Sequence, residues 1–389
     1  MPEAAGLNAT AEVTPRCHHF GVCGGCQLQH LSQQTQTLRK VDAVRIRLQQ
    51  AGVPSPTIET HTAAGYEYRN RIRLRVEGGR VGYSRFNSHD FLPIQECPIA
   101  SPLLWQAAAA LDNLAATTNL WPVGSKELEL MTDGDEAALQ LLLHVDATVV
   151  TLDRDTPRQF RDLCEGLRQR VPQTAGGGLL VQGELASGSR RVQERQRVEV
   201  ARWGAPGLTF RVNGQAYAVS RGAFFQVNRF LTGRMVELVL NGRSGRAAWD
   251  LFAGAGLFSV PLTDRFDQVT AVEVGQPAAT DLAAALRSAG QQHRAMAQPV
   301  LDFLKRARLA TPPDLIVMDP PRAGLGGAIT QELIRIGAPE MVYVSCDAAT
   351  FARDARALVD SRYTITDLHL LDLFPQTNHT ETIAVFRRG

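Results

Sequence analysis

Cys346 closes the apolar run Met341-Val342-Tyr343-Val344, within the segment Val344-Ser345-Cys346-Asp347-Ala348-Ala349-Thr350. A thiol at the carboxyl end of a late strand in an open α/β sheet is placed to act as a nucleophile, because ligands bind outside those strand ends. By position alone it is equally a small buried hydrophobe, a common fate of free cysteine. Two upstream segments weigh toward chemistry. Asp250-Leu251-Phe252-Ala253-Gly254-Ala255-Gly256 lies between an expected strand and an expected helix, and Glu273 closes the next strand 19 residues after Gly254. Asp319-Pro320-Pro321-Arg322 directly follows the apolar run Leu315–Met318, so the Asp319 carboxylate projects beside the same crevice.

Gly254 and Gly256 allow the backbone to approach a ligand, and Glu273 is placed to accept hydrogen bonds from ribose hydroxyls. The turn carries Ser259 where a dinucleotide fingerprint has its third glycine. With no pyrophosphate to bind, S-adenosylmethionine suits this turn better than a nicotinamide cofactor. Four of the other cysteines supply a second chemistry. Cys17-x5-Cys23-x2-Cys26, with Cys97 in Gln95-Glu96-Cys97-Pro98, offers four thiolates to zinc or to an iron–sulfur cluster, and spacing alone does not choose between them. Cys164 shares a helical face with Phe160 and Leu167 and reads as core.

The elements that position these groups follow from hydrophobic periodicity. Ala247–Leu251, Val269–Val274, Leu315–Met318 and Met341–Val344 read as strands. Ala278–Ser288, Ile329–Ile336 and Thr350–Val359 read as helices, giving a parallel, Rossmann-like doubly wound sheet in residues 201–389. Residues 17–200 mix short alternating runs with helices, as in an α+β domain, and residues 1–16 read as a tail. A helix over Leu31–Gly52 carries an apolar stripe of Leu38, Val41, Val44 and Leu48 and is expected to pack on the C-terminal domain. Asn213-Gly214 predicts a two-residue hairpin turn. From Arg69 to Val76 the sequence alternates, with Arg69, Arg71, Arg73 and Arg75 on one strand face. With Tyr83 and Phe86 nearby, that face suits phosphate neutralisation and base stacking, or else pairing with Glu side chains.

Composition sets the outer bounds. The chain has 389 residues and a net charge of only +2 from 41 Lys plus Arg against 39 Asp plus Glu, so no global field demands a polyanionic partner. No basic, apolar leader pattern and no run of roughly 18 apolar residues occurs, and a cytoplasmic location is the expectation.

Taken together, Phe225-Gln226-Val227-Asn228, Asp250–Gly256, Asp319–Arg322, Ser345-Cys346 and Phe374-Pro375-Gln376-Thr377-Asn378-His379-Thr380-Glu381 resemble the RNA uridine C5-methyltransferases, from Cys17 to the C-terminus. The resemblance implies a class I S-adenosylmethionine-dependent methyltransferase fold. It makes Cys346 the thiolate that adds to uracil C6 and Glu381 the base that removes the C5 proton. It assigns Gln226, Phe252, Gly254, Gly256, Glu273 and Asp319 to the methyl donor. The spacing of Cys17, Cys23, Cys26 and Cys97 matches the cluster-bearing branch, which implies a [4Fe–4S] site with a structural or RNA-contacting role. An RNA partner follows, most often large-subunit ribosomal RNA in that branch, with transfer RNA or a non-catalytic RNA-binding protein as the alternatives. A flipped-out loop uridine and a monomeric enzyme are expected, lacking the small N-terminal β-barrel of many relatives. Two residues depart from the family's pattern. Leu257 stands where Asn is common, and Asp347-Ala348 replaces Asn-Pro, an added carboxylate expected to raise the thiol pKa.

Overall fold

The computed structural model describes residues 12–117, 120–146, 155–183, 196–308 and 310–389. Most of the expected N-terminal tail therefore lies outside the described residues. In chain order the elements are α1 (Gln33–Gln50), β1 (Ile58–His61), β2 (Arg71–Glu77), β3 (Arg80–Ser84), β4 (Phe91–Pro93), α2 (Pro102–Thr117), β5 (Ser125–Thr132), β6 (Leu139–Asp146), α3 (Thr156–Arg170), β7 (Thr174–Gly183) and β8 (Gln196–Gly204). They continue with β9 (Gly207–Val212), β10 (Gln215–Ser220), α4 (Thr232–Leu240), β11 (Gly245–Leu251), α5 (Ser259–Leu262), β12 (Phe266–Val272), α6 (Ala278–Ala289), β13 (Arg294–Met296) and α7 (Val300–Arg306). The last are β14 (Leu315–Met318), α8 (Gly326–Ile336), β15 (Glu340–Ser345), α9 (Ala348–Asp360), β16 (Tyr363–Leu371) and β17 (Glu381–Arg388).

The strands form two large sheets. One has the order β4-β3-β2-β5-β6-β7-β8, and α2 and α3 cover it with Leu104, Leu111, Phe160, Cys164 and Leu167. Cys164 is fully buried there. The other has the order β1-β16-β17-β15-β14-β11-β12-β13. Its centre, β15-β14-β11-β12-β13, is parallel. The sheet as a whole is mixed, because β17 inserts antiparallel between β15 and β16. Leu315–Met318 is buried at every residue, as a parallel strand covered by helices on both faces requires.

Helices lie on both faces of the second sheet. Val41, Val44 and Leu48 of α1 join Leu304, Leu333, Phe351 and Leu358 against one face. Met235 and Val239 of α4 with the β9–β10 hairpin, through Phe210 and Tyr217, cover the other. That hairpin turns at Asn213 and Gly214 with φ of 49° and 83°, the left-handed pair a two-residue turn of this type needs.

The N-terminal segment crosses the expected domain boundary. Helix α1, capped by Ser32 on Thr35, packs on α9, and β1 pairs in parallel with β16. The α1 stripe also differs from its apolar pattern. Leu38 is 50% exposed, whereas the polar Gln36 and Lys40 are buried because Gln376 and Asp372, between β16 and β17, await them as partners. Among the described residues no helix is long and apolar enough to cross a membrane.

Candidate active site

Strand ends converge at one edge of the second sheet. β11 delivers Asp250 and the glycine turn, β14 delivers Asp319, β15 delivers Cys346, and β17 begins at Glu381. Ser345 pairs with Thr382 across the antiparallel β15–β17 ladder. Cys346 follows Ser345 and Glu381 precedes Thr382 at the end of that ladder, and Glu381 is the foremost charge raising the Cys346 pKa. The proposed nucleophile and base therefore both lie at the same end of a buried ladder.

The turn after β11 is shaped by its backbone. Phe252, Gly254 and Gly256 have φ of 63°, 55° and 95°, a left-handed conformation that glycine adopts without strain and a phenylalanine adopts only when the fold enforces it. A Cβ on Gly254 would meet nothing within 4 Å, so the space beside the turn is open to a ligand. Glu273 accepts hydrogen bonds from Gly254 N at 2.9 Å and Gly275 N at 2.6 Å, which orient its carboxylate and leave further lone pairs free. Asp250 is fully buried. Its Oδ2 accepts from the Ser259 hydroxyl and its Oδ1 has no partner. Gln226 Nε2 reaches Asp319 Oδ2 at 3.5 Å, joining two residues that the sequence assigned to the same ligand.

The electrostatics are those of several acids crowded out of water. Burial, with the Asp250 charge second, pushes the Asp319 carboxyl up to about 7, and burial pushes Asp250 up to about 7. Burial raises Glu381 well above the ordinary carboxylate range, with Asp319 adding to it. Cys346 is pushed up to about 11 by burial and then by the charges of Glu381 and Asp319. Burial thus works against the charged forms of both Cys346 and Glu381, and each is further disfavoured by the acids around it.

Asp347 plays a different part from the one expected. Its carboxylate caps α9, accepting from Ala349 N at 3.1 Å and Thr350 N at 2.8 Å. Its charge is thus spent on a helix N-terminus, and the rise in the thiol pKa comes from burial, Glu381 and Asp319 instead. Sequence reasoning left Arg322 without a role, yet its charge lowers the pKa of both Cys346 and Glu381, and its guanidinium lies 3.3 Å from the His379 ring. Its place in Asp319-Pro320-Pro321-Arg322 was the available signal.

The loop leading into Glu381 is held by distant parts of the chain. Gln36 Nε2 donates to Gln376 Oε1 at 2.9 Å, and Gln376 N donates to Gln36 Oε1 at 2.8 Å. The backbone N–H groups of Gln27 and Leu28 both donate to Gln376 O. Lys40 Nζ donates to Asp372 Oδ1 at 2.6 Å and to Phe374 O at 2.9 Å, and Tyr68 donates to Pro375 O at 3.1 Å. These contacts fix Gln376 at φ 69°.

The same N-terminal segment carries three of the four clustered cysteines, and the fourth, Cys97, follows β4. Cys17, Cys23, Cys26 and Cys97 line one cavity of about 150 Å³ with Phe20, Arg69, Tyr83 and Ile99. Tyr83 Oη lies 3.7 Å from Cys97 Sγ. Burial pushes the Cys17 and Cys26 thiols up to about 11. The arginine face expected to meet phosphates lies among carboxylates. Arg69 precedes β2 and lines the cysteine cavity, with its buried Nε unpartnered. Arg71 pairs with Glu129 at 2.8 Å, Arg73 lies within 3.6 Å of Glu127, and Arg75 pairs with Glu77 at 3.2 Å. The antiparallel β2–β5 register sets Arg73 opposite Glu129 and Arg75 opposite Glu127, so acidic side chains alternate with these arginines across the sheet.

Comparisons with known proteins agree with this arrangement. A family pattern described as tRNA (Uracil-5-)-methyltransferase matches residues 301–388, the stretch that holds Asp319, Cys346 and Glu381. The chain is 31% identical to a Caulobacter vibrioides protein named as an uncharacterized RNA methyltransferase, over 97% of this chain and 86% of that one. It is 31% identical to the Salmonella choleraesuis 23S rRNA (uracil(1939)-C(5))-methyltransferase RlmD, over 96% of this chain and 82% of that one. In fold it is similar to the Pyrococcus abyssi tRNA (uracil-54, C5)-methyltransferase solved with S-adenosyl-L-homocysteine, at 22% identity, covering 94% of this chain and 86% of that one with a TM-score of 0.73. With its class I methyltransferase sheet and relatives of this identity and coverage, the chain belongs to the RNA uracil-C5-methyltransferase family.

Proposed function

We propose that this protein methylates C5 of a loop uridine in 23S ribosomal RNA, with Cys346 as nucleophile and Glu381 as base. The observation that supports this reading is that Cys346 and Glu381 lie at the same end of the β15–β17 ladder, where Asp319 and Arg322 act on both electrostatically. Ribosomal RNA is favoured over transfer RNA by the Salmonella choleraesuis and Halomonas elongata relatives, at 31% and 30% identity, both named for 23S rRNA.

The residues fit S-adenosylmethionine. The open space at Gly254, the oriented Glu273 carboxylate and the unpartnered Asp250 Oδ1 offer room, ribose acceptors and a free buried acceptor. Gln226, Phe252, Gly254, Gly256, Glu273 and Asp319 would hold it, and when bound it supplies an electrophilic methyl group. The chain's own residues do the rest. Cys346 gives up its proton to solvent and adds as thiolate to uracil C6, which turns the C5–C6 double bond into an enolate nucleophilic at C5. Arg322 is the cation on hand to favour the thiolate and the negative charge that passes to the base. After C5 is methylated, Glu381 in its ionised form removes the C5 proton, and elimination of the Cys346 thiolate restores the double bond. A pKa raised by burial brings Glu381 closer to the working pH of a general base.

The four cysteines are read as ligands of a [4Fe–4S] cluster. Among the described residues no three of their sulfurs lie within 4.8 Å of one another. A single tetrahedral zinc with bonds of about 2.3 Å needs sulfurs about 3.8 Å apart. Wider spacing around a cavity, with the Arg69 guanidinium on its wall, suits a larger anionic cluster. Anaerobic purification followed by iron and sulfide analysis tests it, and a colourless, zinc-loaded protein would overturn it.

The catalytic reading is tested by incubating the protein with methyl-labelled S-adenosylmethionine and total RNA. Label in 5-methyluridine of 23S rRNA is expected; label in DNA, or in no RNA, refutes the reading. Cys346→Ala should abolish turnover while retaining cofactor, and Glu381→Gln should accumulate a covalent RNA adduct on denaturing gels.

A further inference from the structure

Away from the active site, β1 and β16 place three ligand-type side chains on one face of the outer edge of the sheet. The parallel register sets Glu59 opposite His369, with His61 two residues further along β1. His61 Nε2 lies 3.2 Å from His369 Nδ1, Glu59 Oε1 lies 3.6 Å from His61 Nε2, and Glu59 Oε2 lies 3.4 Å from His369 Nδ1. The two imidazoles are nearly buried, at 9% and 11% side-chain exposure, while Glu59 is 61% exposed at the rim.

We propose that Glu59, His61 and His369 form a binding site for a zinc-class divalent transition-metal ion. A tetrahedral ion with bonds of about 2.0–2.1 Å to nitrogen and oxygen requires its donors about 3.3–3.4 Å apart. The two imidazole nitrogens meet that spacing, each lies near one of the two Glu59 oxygens, and a turn of the exposed carboxylate, one donor atom of which already lies within 4.8 Å of both nitrogens, brings a single oxygen to both. Two imidazoles and one carboxylate suit zinc, nickel, cobalt or copper better than calcium or magnesium, and the rim leaves a fourth position for water.

Without an ion the same atoms form a hydrogen-bond relay, in which Arg234 Nε donates to His61 Nδ1 at 3.4 Å and His61 Nε2 to His369 Nδ1. Metal binding replaces the proton between the rings and puts a proton on His61 Nδ1, so Arg234 must turn aside. That side chain is 42% exposed and has Glu237 as an alternative partner at 3.1 Å. The ion would clamp β1 onto β16. Since Asp372 N donates to His61 O at 2.9 Å, the clamp sits directly behind the Lys40–Asp372 contact that anchors the loop to Glu381.

Cobalt titration of the whole protein, with its cysteine site intact, tests the proposal, because a nitrogen–oxygen site shows visible d–d bands without the near-ultraviolet thiolate charge-transfer band of a cysteine site. One such cobalt per chain, displaced by zinc and accompanied by a rise in Tm, is expected. Glu59→Gln and His369→Asn should each weaken binding at least tenfold and abolish the Tm rise, and Arg234→Gln should tighten binding several-fold. Glu59 is exposed, so Glu59→Gln decides the matter even if His369→Asn fails to fold. Equal cobalt affinity in wild type and Glu59→Gln, or bound cobalt showing only thiolate bands, would overturn the site.

Discussion

The Lys40 ammonium lies 2.6 Å from the Asp372 carboxylate with both side chains almost wholly withdrawn from water, although 332 residues separate them. Lys40 gives a second hydrogen bond to Phe374 O, while Asp372 Oδ2 has no partner. Removing one member of a buried pair strands the other charge. Lys40→Met should therefore lower unfolding free energy by about 3–5 kcal/mol in a denaturant titration. Lys40→Met combined with Asp372→Leu should recover much of that loss. A loss in the double variant as large as in the single one would show that packing, rather than the stranded carboxylate, sets the cost.

Cys346 should be a slow thiol in the free protein. With its pKa pushed up to about 11, only a minute fraction is thiolate at neutral pH, and alkylation by iodoacetamide should accelerate as pH rises toward that value. Glu381→Gln removes one of the charges that hold the pKa up, so its alkylation profile should shift to lower pH, whereas Arg322→Gln should shift it upward. Mass spectrometry of the peptide bearing Cys346 gives both profiles. A neutral-pH rate equal to that of an unhindered thiol would contradict the burial.

Asp250 makes the cofactor-free protein sensitive to alkali. Its folded pKa, pushed up to about 7, exceeds that of an unfolded aspartate, so the native state binds the extra proton between those values. Stability from this group is present at low pH and is lost as pH rises toward 7 and beyond. Asp250→Asn should stabilise the cofactor-free protein at pH 8 by roughly 1–3 kcal/mol, flatten the pH dependence of Tm, and weaken cofactor binding. A variant no more stable than wild type at pH 8 would remove Asp250 as the source.

Asp347→Ala separates the two roles a carboxylate beside Cys346 can have. Loss of the cap on α9 should cost about 0.5–2 kcal/mol, while the alkylation profile of Cys346 should stay where it is. A clear downward shift in that profile would restore Asp347 to the thiol's electrostatic surroundings.

Much of the site was legible because it obeys local rules. Asp250, Glu273, Asp319 and Cys346 each end a strand whose apolar run can be read directly, and ligands in open α/β sheets gather at those ends. Glu381 was legible only through the family resemblance, since nothing local tells that β17 inserts antiparallel beside β15. The alternation of Arg71, Arg73 and Arg75 correctly gave a strand, but their partners Glu127 and Glu129 lie on β5, and pairing register is not a local property. Burial of Gln36 and Lys40 in place of Leu38 has the same origin, because their partners lie more than 300 residues downstream. The alignment of Glu59 with His369 arises only once β1 has joined the far edge of the sheet.

That edge strand also sets a timetable for the chain's synthesis. Ile58 pairs with Leu368, so 310 residues must be made between one partner and the other. At about 5–20 residues per second, β1 emerges from a ribosome roughly 15–60 s before β16 exists to receive it. In that interval α1 and β1 hang without their sheet, while the segment β2–β8 has all its strands and can settle around its own core. The molecule is thus assembled from its middle outward, and its earliest-made residues are among the last to find their place.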